Sequence, residues 1–109
     1  MTPPYGDMTP RELKARMDAG AAPRIIDVRE PYEYAICHIE GAELKPLPAI
    51  AEWWRELDPD EEIVFQCHSG QRSAYACMML ARAGFTNVKN LTGGIDRWAF
   101  DVDPTMRRY

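Results

Sequence analysis

Short apolar runs alternate with amphipathic stretches along the whole chain. Arg24-Ile25-Ile26-Asp27-Val28 and Glu62-Ile63-Val64-Phe65-Gln66 each have a β-branched or aromatic centre and predict buried strands. Val88-Lys89-Asn90-Leu91 predicts a last strand. Ala42-Glu43-Leu44 predicts a brief one before the turn marked by Pro46 and Pro48. Between them the period changes to that of a helix. Thr9-Pro10-Arg11-Glu12 opens the first, with Thr9 as cap, Pro10 at the first helical position and Glu12 reaching back in a capping box. Leu13 and Met17 share its inner face and Gly20 ends it. Pro31 starts a short helix around Tyr32-Glu33-Tyr34. Ile50, Trp53, Trp54 and Leu57 recur at helical spacing up to Asp58-Pro59, with one of the two tryptophans in the core. A helix over 73–83 packs Tyr75, Met79 and Leu80 and closes at Gly84. A final one opens at Gly93-Gly94 and carries Ile95 and Trp98, with Trp98 and Tyr109 packing that helix and the tail.

Strands alternating with helices at this spacing predict an α/β fold, a largely parallel sheet with helices on both faces. No repeat or low-complexity tract divides the chain, so a single domain over residues 1–109 is expected, with residues 1–6 as a loose N-terminal arm.

Composition narrows the classes of function. The chain has 109 residues, 46% of them hydrophobic and 28% charged, with a net charge of −4. The acidic balance is the opposite of a nucleic-acid binder's basic patch. No apolar run approaches the ~20 residues that span a bilayer, and no basic-then-apolar leader opens the sequence, so neither a membrane nor secretion is expected. Three cysteines are too few for a disulfide scaffold and favour the reducing cytoplasm.

The segment after the second long strand carries the chemistry. Cys67-His68-Ser69-Gly70-Gln71-Arg72-Ser73 is polar and joins a buried strand to a helix. Backbone N–H groups of such a loop converge into an anion-binding nest, and the positive end of the next helix adds to the same field. Such surroundings favour a thiolate over a thiol. Gly70 permits the turn, the fork of Arg72 suits an anionic substrate, and Ser73 can cap the helix or donate to the sulfur. A merely structural cysteine has no need of this run. Cys77, among Met78, Met79 and Leu80, is core. Cys37-His38 and Cys67-His68 lack the spacing of a structural zinc site, so no metal is expected.

These motifs, taken in order, resemble the rhodanese (sulfurtransferase) family. Asp27-Val28-Arg29, His38-Ile39-Glu40-Gly41-Ala42, the Cys67–Ser73 loop and Gly93-Gly94-Ile95-Asp96-Arg97-Trp98 match the family's successive signatures across nearly the whole chain. The ending from Trp98 through Asp103-Pro104 to Tyr109 is similar to rhodanese domains fused to adenylating enzymes of molybdopterin and thiocarboxylate biosynthesis. The resemblance implies a five-stranded rhodanese-like fold and a persulfide mechanism without metal or organic cofactor. Cys67 would be the nucleophile. The loop N–H groups from His68 through Ser69, Gly70, Gln71 and Arg72 to Ser73 would stabilise the persulfide, and Arg72 would steer a small anionic sulfur donor such as thiosulfate. A thiol or cyanide would accept the sulfur.

Two other readings stand beside this one. A relay module would pass the same persulfide from a cysteine desulfurase to a sulfur-carrier protein. A cysteine-based phosphatase or arsenate reductase would need five residues between cysteine and arginine, where this loop has four. Three positions depart from the family pattern. Cys37 replaces a glycine before His38, which implies strain or a remodelled turn there, or a second thiol near the site. Glu40 replaces a proline. His68 stands where a second arginine is common, which weakens the pull on thiosulfate. His38 is expected to bond to nearby backbone. Asp27 and Arg29 are expected to form a structural ion pair, with bracing of the loop as their functional alternative.

Overall fold

A computed structural model describes residues 4–109. Five strands form one sheet: β1 (Gly6–Met8), β2 (Arg24–Asp27), β3 (Glu43–Leu44), β4 (Ile63–Gln66) and β5 (Val88–Leu91). Their order is β1-β5-β4-β2-β3 and every pairing is parallel. All carboxyl ends therefore lie on one edge of the sheet, and β4, fully buried, is at its centre. The residue that follows β4 is Cys67.

Five helices cover the two faces: α1 (Pro10–Asp18), α2 (Pro31–Ile36), α3 (Ile50–Trp53), α4 (Gln71–Arg82) and α5 (Gly94–Asp101). Alternation along β4 divides the core accordingly. Ile63 and Phe65 join Trp53, Leu57, Ala76, Cys77 and Leu80 on one side, while Val64 joins Leu13, Leu91, Ile95 and Trp98 on the other. α1 opens as its sequence predicts, with the Thr9 side chain accepting from the Glu12 amide and the Glu12 carboxylate accepting from the Thr9 amide. No helix among the described residues is long and apolar enough to cross a membrane.

The structure corrects three expectations. The N-terminal arm is not loose throughout. Gly6 begins β1, paired with Lys89 of β5, and Tyr5 packs against the core; residues 1–3 lie outside the described part. The stretch from Ile50 to Leu57 is not one helix. Four α-helical residues sit between 3-10 turns at Leu47–Ala49 and Trp54–Glu56, and the Trp53 indole N–H turns back to donate to the Pro46 carbonyl at 2.9 Å. Trp53 is the core tryptophan, and Trp54 only borders the cluster. α4 starts two residues before Ser73, and its inner face is Ser73, Ala76, Cys77 and Leu80. Tyr75 and Met79 form the neighbouring stripe and are 59% and 38% exposed, because the small Ala76 and Cys77 let the helix backbone approach the sheet. Cys37 is unstrained, since its φ of −165° is extended backbone that any residue adopts.

Candidate active site

Two backbone amides donate to the Cys67 sulfur, and the Ser73 hydroxyl lies against it. The Gly70 amide reaches Sγ at 3.1 Å, the Ser73 amide at 3.4 Å, and the Ser73 hydroxyl lies at 3.4 Å. Cys67 itself is 1% exposed. The curl that brings these amides round depends on Gly70, whose φ of +103° few residues with a side chain adopt. Of the other loop residues, Ser69 and Gln71 turn their side chains to solvent and His68 is half-buried. Only the Gly70 and Ser73 amides, of the loop N–H groups expected there, are within hydrogen-bond distance of the sulfur.

Two neighbours fix the loop from behind. Buried Asn90 on β5 donates its amide to the Gly70 carbonyl at 3.1 Å and accepts from the Ser73 hydroxyl at 2.5 Å. The first turn of α5 holds the other side, with the Ile95 amide donating to the Cys67 carbonyl and the Asp96 amide to the His68 carbonyl, at 2.8 and 3.0 Å. This contact explains Gly94. A Cβ there would stand 2.4 Å from the Cys67 carbonyl oxygen and 2.5 Å from that of His68.

Charged groups close the front. Asp27 and Arg29, both fully buried, form a bidentate ion pair. Arg29 also donates to the carbonyls of Glu33 and Cys37 and to the Tyr109 hydroxyl, so it ties β2 to both ends of the segment beside the loop. The structural role expected of the pair is thus present, and the link through Tyr109 extends it towards the site. Arg72 does not stand free. Its two terminal nitrogens bind the Glu33 carboxylate at 2.7 and 2.9 Å. That fork, helped by the Glu30 amide and the Tyr109 hydroxyl and opposed by burial, holds the Glu33 carboxyl down at about 2. Tyr109 does not pack the last helix as expected. Its ring stacks on His68 at 4.1 Å and its hydroxyl donates to Glu33 at 2.8 Å.

The remaining candidates separate from the site. The His38 ring stacks on Tyr34 and its Nδ1 donates to the Tyr34 carbonyl, as expected of a backbone-bonded histidine. Cys77 is buried among apolar side chains, and that burial pushes its thiol up to about 12. Cys37 lines a water-sized pocket with His68 and Tyr109; Cys67 is not among the residues lining it.

Glu33, Asn90 and Tyr109 are the site residues that the sequence alone left unassigned. The only trace of them was inside segments read as an ordinary helix, strand and tail.

A family model described as "Rhodanese-like domain" matches residues 9–101. The chain is 41% identical over 104 residues to the probable adenylyltransferase/sulfurtransferase MoeZ of Mycobacterium tuberculosis, covering 94% of this chain and 26% of MoeZ. It therefore spans about a quarter of that relative's length. It is 33% identical over 89 residues to the thiosulfate sulfurtransferase GlpE of Pseudomonas fluorescens, covering 82% of this chain and 80% of GlpE. Among solved structures, a rhodanese-related protein from Thermoplasma volcanium superposes with a TM-score of 0.80 at 28% identity, over 90% of this chain and 94% of that one.

Proposed function

The chain belongs to the rhodanese-like domain family, and from that membership we propose that it is a sulfurtransferase working through a persulfide on Cys67. The observation that carries this reading is the convergence of the Gly70 and Ser73 amides on one sulfur at the carboxyl end of the central strand. Such donors stabilise negative charge held at a fixed point. The Cys67 thiolate, which attacks and then leaves in this reaction, is a charge of that kind.

In the proposed reaction the Cys67 thiolate attacks the outer sulfur of thiosulfate. A Cys67 S–S bond forms, the donor's S–S bond breaks, and sulfite leaves with the bonding electron pair. An acceptor thiolate or cyanide then attacks the terminal sulfur, and the Cys67 thiolate is the leaving group. This is covalent catalysis by an activated thiol and needs no metal or organic cofactor. The proposed setting is the cytoplasm, where thiols stay reduced.

The similarity to MoeZ favours a second use of the same intermediate, in which a protein acts as donor or acceptor and the persulfide is relayed between proteins. The cysteine desulfurase and sulfur-carrier protein expected from the sequence are the partners of that reading.

Both uses share one test. Incubation with thiosulfate should add one sulfur, about 32 Da, to the wild-type protein but not to Cys67→Ala, and cyanide should remove it as thiocyanate. An unmodified wild-type protein after treatment with both thiosulfate and a loaded cysteine desulfurase would refute the reading.

A further inference from the structure

The Cys67 loop offers a small anionic donor no unpaired cation of its own. Arg72 is the only arginine or lysine in the loop, and both of its terminal nitrogens are taken by Glu33. Glu33 is 4% exposed and every bond to it fixes it in place. Oε1 accepts from Arg72 and from the Glu30 amide, and Oε2 accepts from Arg72 and from the Tyr109 hydroxyl. Arg29 donates to the Tyr109 oxygen at 2.8 Å and so orients that hydroxyl towards Glu33. Tyr109 is itself held in register. Arg108 pairs with Asp96 at 2.7 Å, and the Asp96 amide donates to the carbonyl of His68, the residue under the Tyr109 ring.

A dianion such as thiosulfate has two costs at this mouth. To engage Arg72 it must replace two charge-assisted hydrogen bonds, which are among the stronger ones in proteins. Doing so leaves Glu33 buried without its counter-charge, an expensive state for a carboxylate. A donor with less charge avoids both, since it needs no cation of its own.

We propose that Glu33 and Tyr109 are specificity-determining residues that turn Cys67 away from doubly charged donors and towards sulfane sulfur on a less charged carrier, such as a cysteine persulfide of another protein. The proposal rests on the sulfurtransferase reading and names the donor class of the same site. Glu33 supplies the opposing charge, and Tyr109 holds that carboxylate on Arg72.

Two donors that differ by one charge test it. Thiosulfate carries two negative charges and leaves as sulfite; the methanethiosulfonate anion carries one and leaves as methanesulfinate. Each puts the same sulfur on Cys67 by breaking one S–S bond. Rates of persulfide formation are read by intact mass, and the quantity compared is the thiosulfate-to-methanethiosulfonate ratio, which cancels any general damage to the loop. Glu33→Gln keeps an acceptor for Arg72 and removes the charge. It should raise the ratio roughly tenfold, the scale of one unit charge a few ångströms away at a partly exposed site. Tyr109→Phe keeps the stack on His68 and loses the bond to Glu33; it should raise the ratio severalfold, and it carries the test alone should Glu33→Gln fail to fold. Ratios within twofold of wild type in both variants, or equal losses on both donors, would overturn the proposal. No persulfide from either donor or from a loaded cysteine desulfurase, in any of the proteins, would overturn the sulfurtransferase reading itself, and this inference with it.

Discussion

Cys67 and Cys77 sit ten residues apart in the same core cluster, 1% and 0% exposed, yet their sulfurs meet different surroundings. Cys77 is on the inner face of α4 beside Ala76 and Leu80, where burial first, and then the charges of Asp7 and Cys67, push the thiol up to about 12. Cys67 is just as inaccessible but has two backbone amides aimed at its sulfur. On the proposed reading, burial does not decide which thiol reacts. The difference is whether a fold places donors where the charge will be, and here a glycine-permitted curl, Asn90 and the first turn of α5 do so.

The most severe way to break the comparison is Cys67→Ala, which should abolish sulfur loading and leave the fold intact, as read by intact mass and circular dichroism. Next comes Gly94→Ala. Its Cβ would stand 2.4 Å from the Cys67 carbonyl, so the loop must shift while Cys67 and its side-chain partners remain. A displacement of about 1 Å in a catalytic group costs on the order of 100-fold, and single-turnover loading should slow by that much.

Ser73→Ala removes the hydroxyl from the sulfur and deprives Asn90 of a donor. Loading should slow roughly tenfold, and urea unfolding should show a loss of about 1–2 kcal/mol. At the small end, Cys77→Val should leave the loading rate within about twofold of wild type and cost less than about 1.5 kcal/mol, as near-isosteric core changes do. The thiol comparison also has a pH form. The folded Cys77 thiol, raised to about 12 from its ordinary 9.0, stays protonated between pH 7 and 9, so iodoacetamide should spare it there and modify it once urea unfolds the chain.

The front of the site gives a separate dependence on acid. The Glu33 carboxyl lies at about 2 in the folded protein against an ordinary 4.5, so the unfolded chain binds its proton first as pH falls. The stabilisation is complete above about pH 4.5 and fades towards pH 2, with a size on the order of 2–3 kcal/mol. Glu33→Gln should flatten that part of the profile in urea titrations.

How much of this was legible in the sequence follows from the distance over which each feature is determined. The unit of β4, loop and α4 is local. Four apolar-centred residues, a polar run with one glycine and a helical stretch follow one another, and their order alone put Cys67 at the end of a strand. Gly93-Gly94 was visible as a helix opening, but its reason, the Cys67 and His68 carbonyls against Gly94, exists only once β4 and β5 are side by side. β1 was missed because Gly6-Asp7-Met8 has poor strand formers and is held by β5, more than 80 residues on. The same holds for the residues that complete the site. Glu33 meets Arg72 across 39 positions, Asn90 meets Ser73 across 17, and Tyr109 meets Glu33 across 76. No periodicity reports contacts of that range. The inner face of α4 failed for a different reason, since size suggested Tyr75 and Met79 where close packing required Ala76 and Cys77.

The central claim is that donors aimed at the sulfur, rather than burial, decide which cysteine carries the chemistry. Its most direct test is to locate the added sulfur. Wild-type protein loaded with thiosulfate, blocked with an alkylating agent and digested should show the extra sulfur on the peptide containing Cys67 alone, with Cys37 and Cys77 carrying none. Sulfur on Cys77 or Cys37 in the folded protein, or loading that persists in Cys67→Ala, would contradict the account.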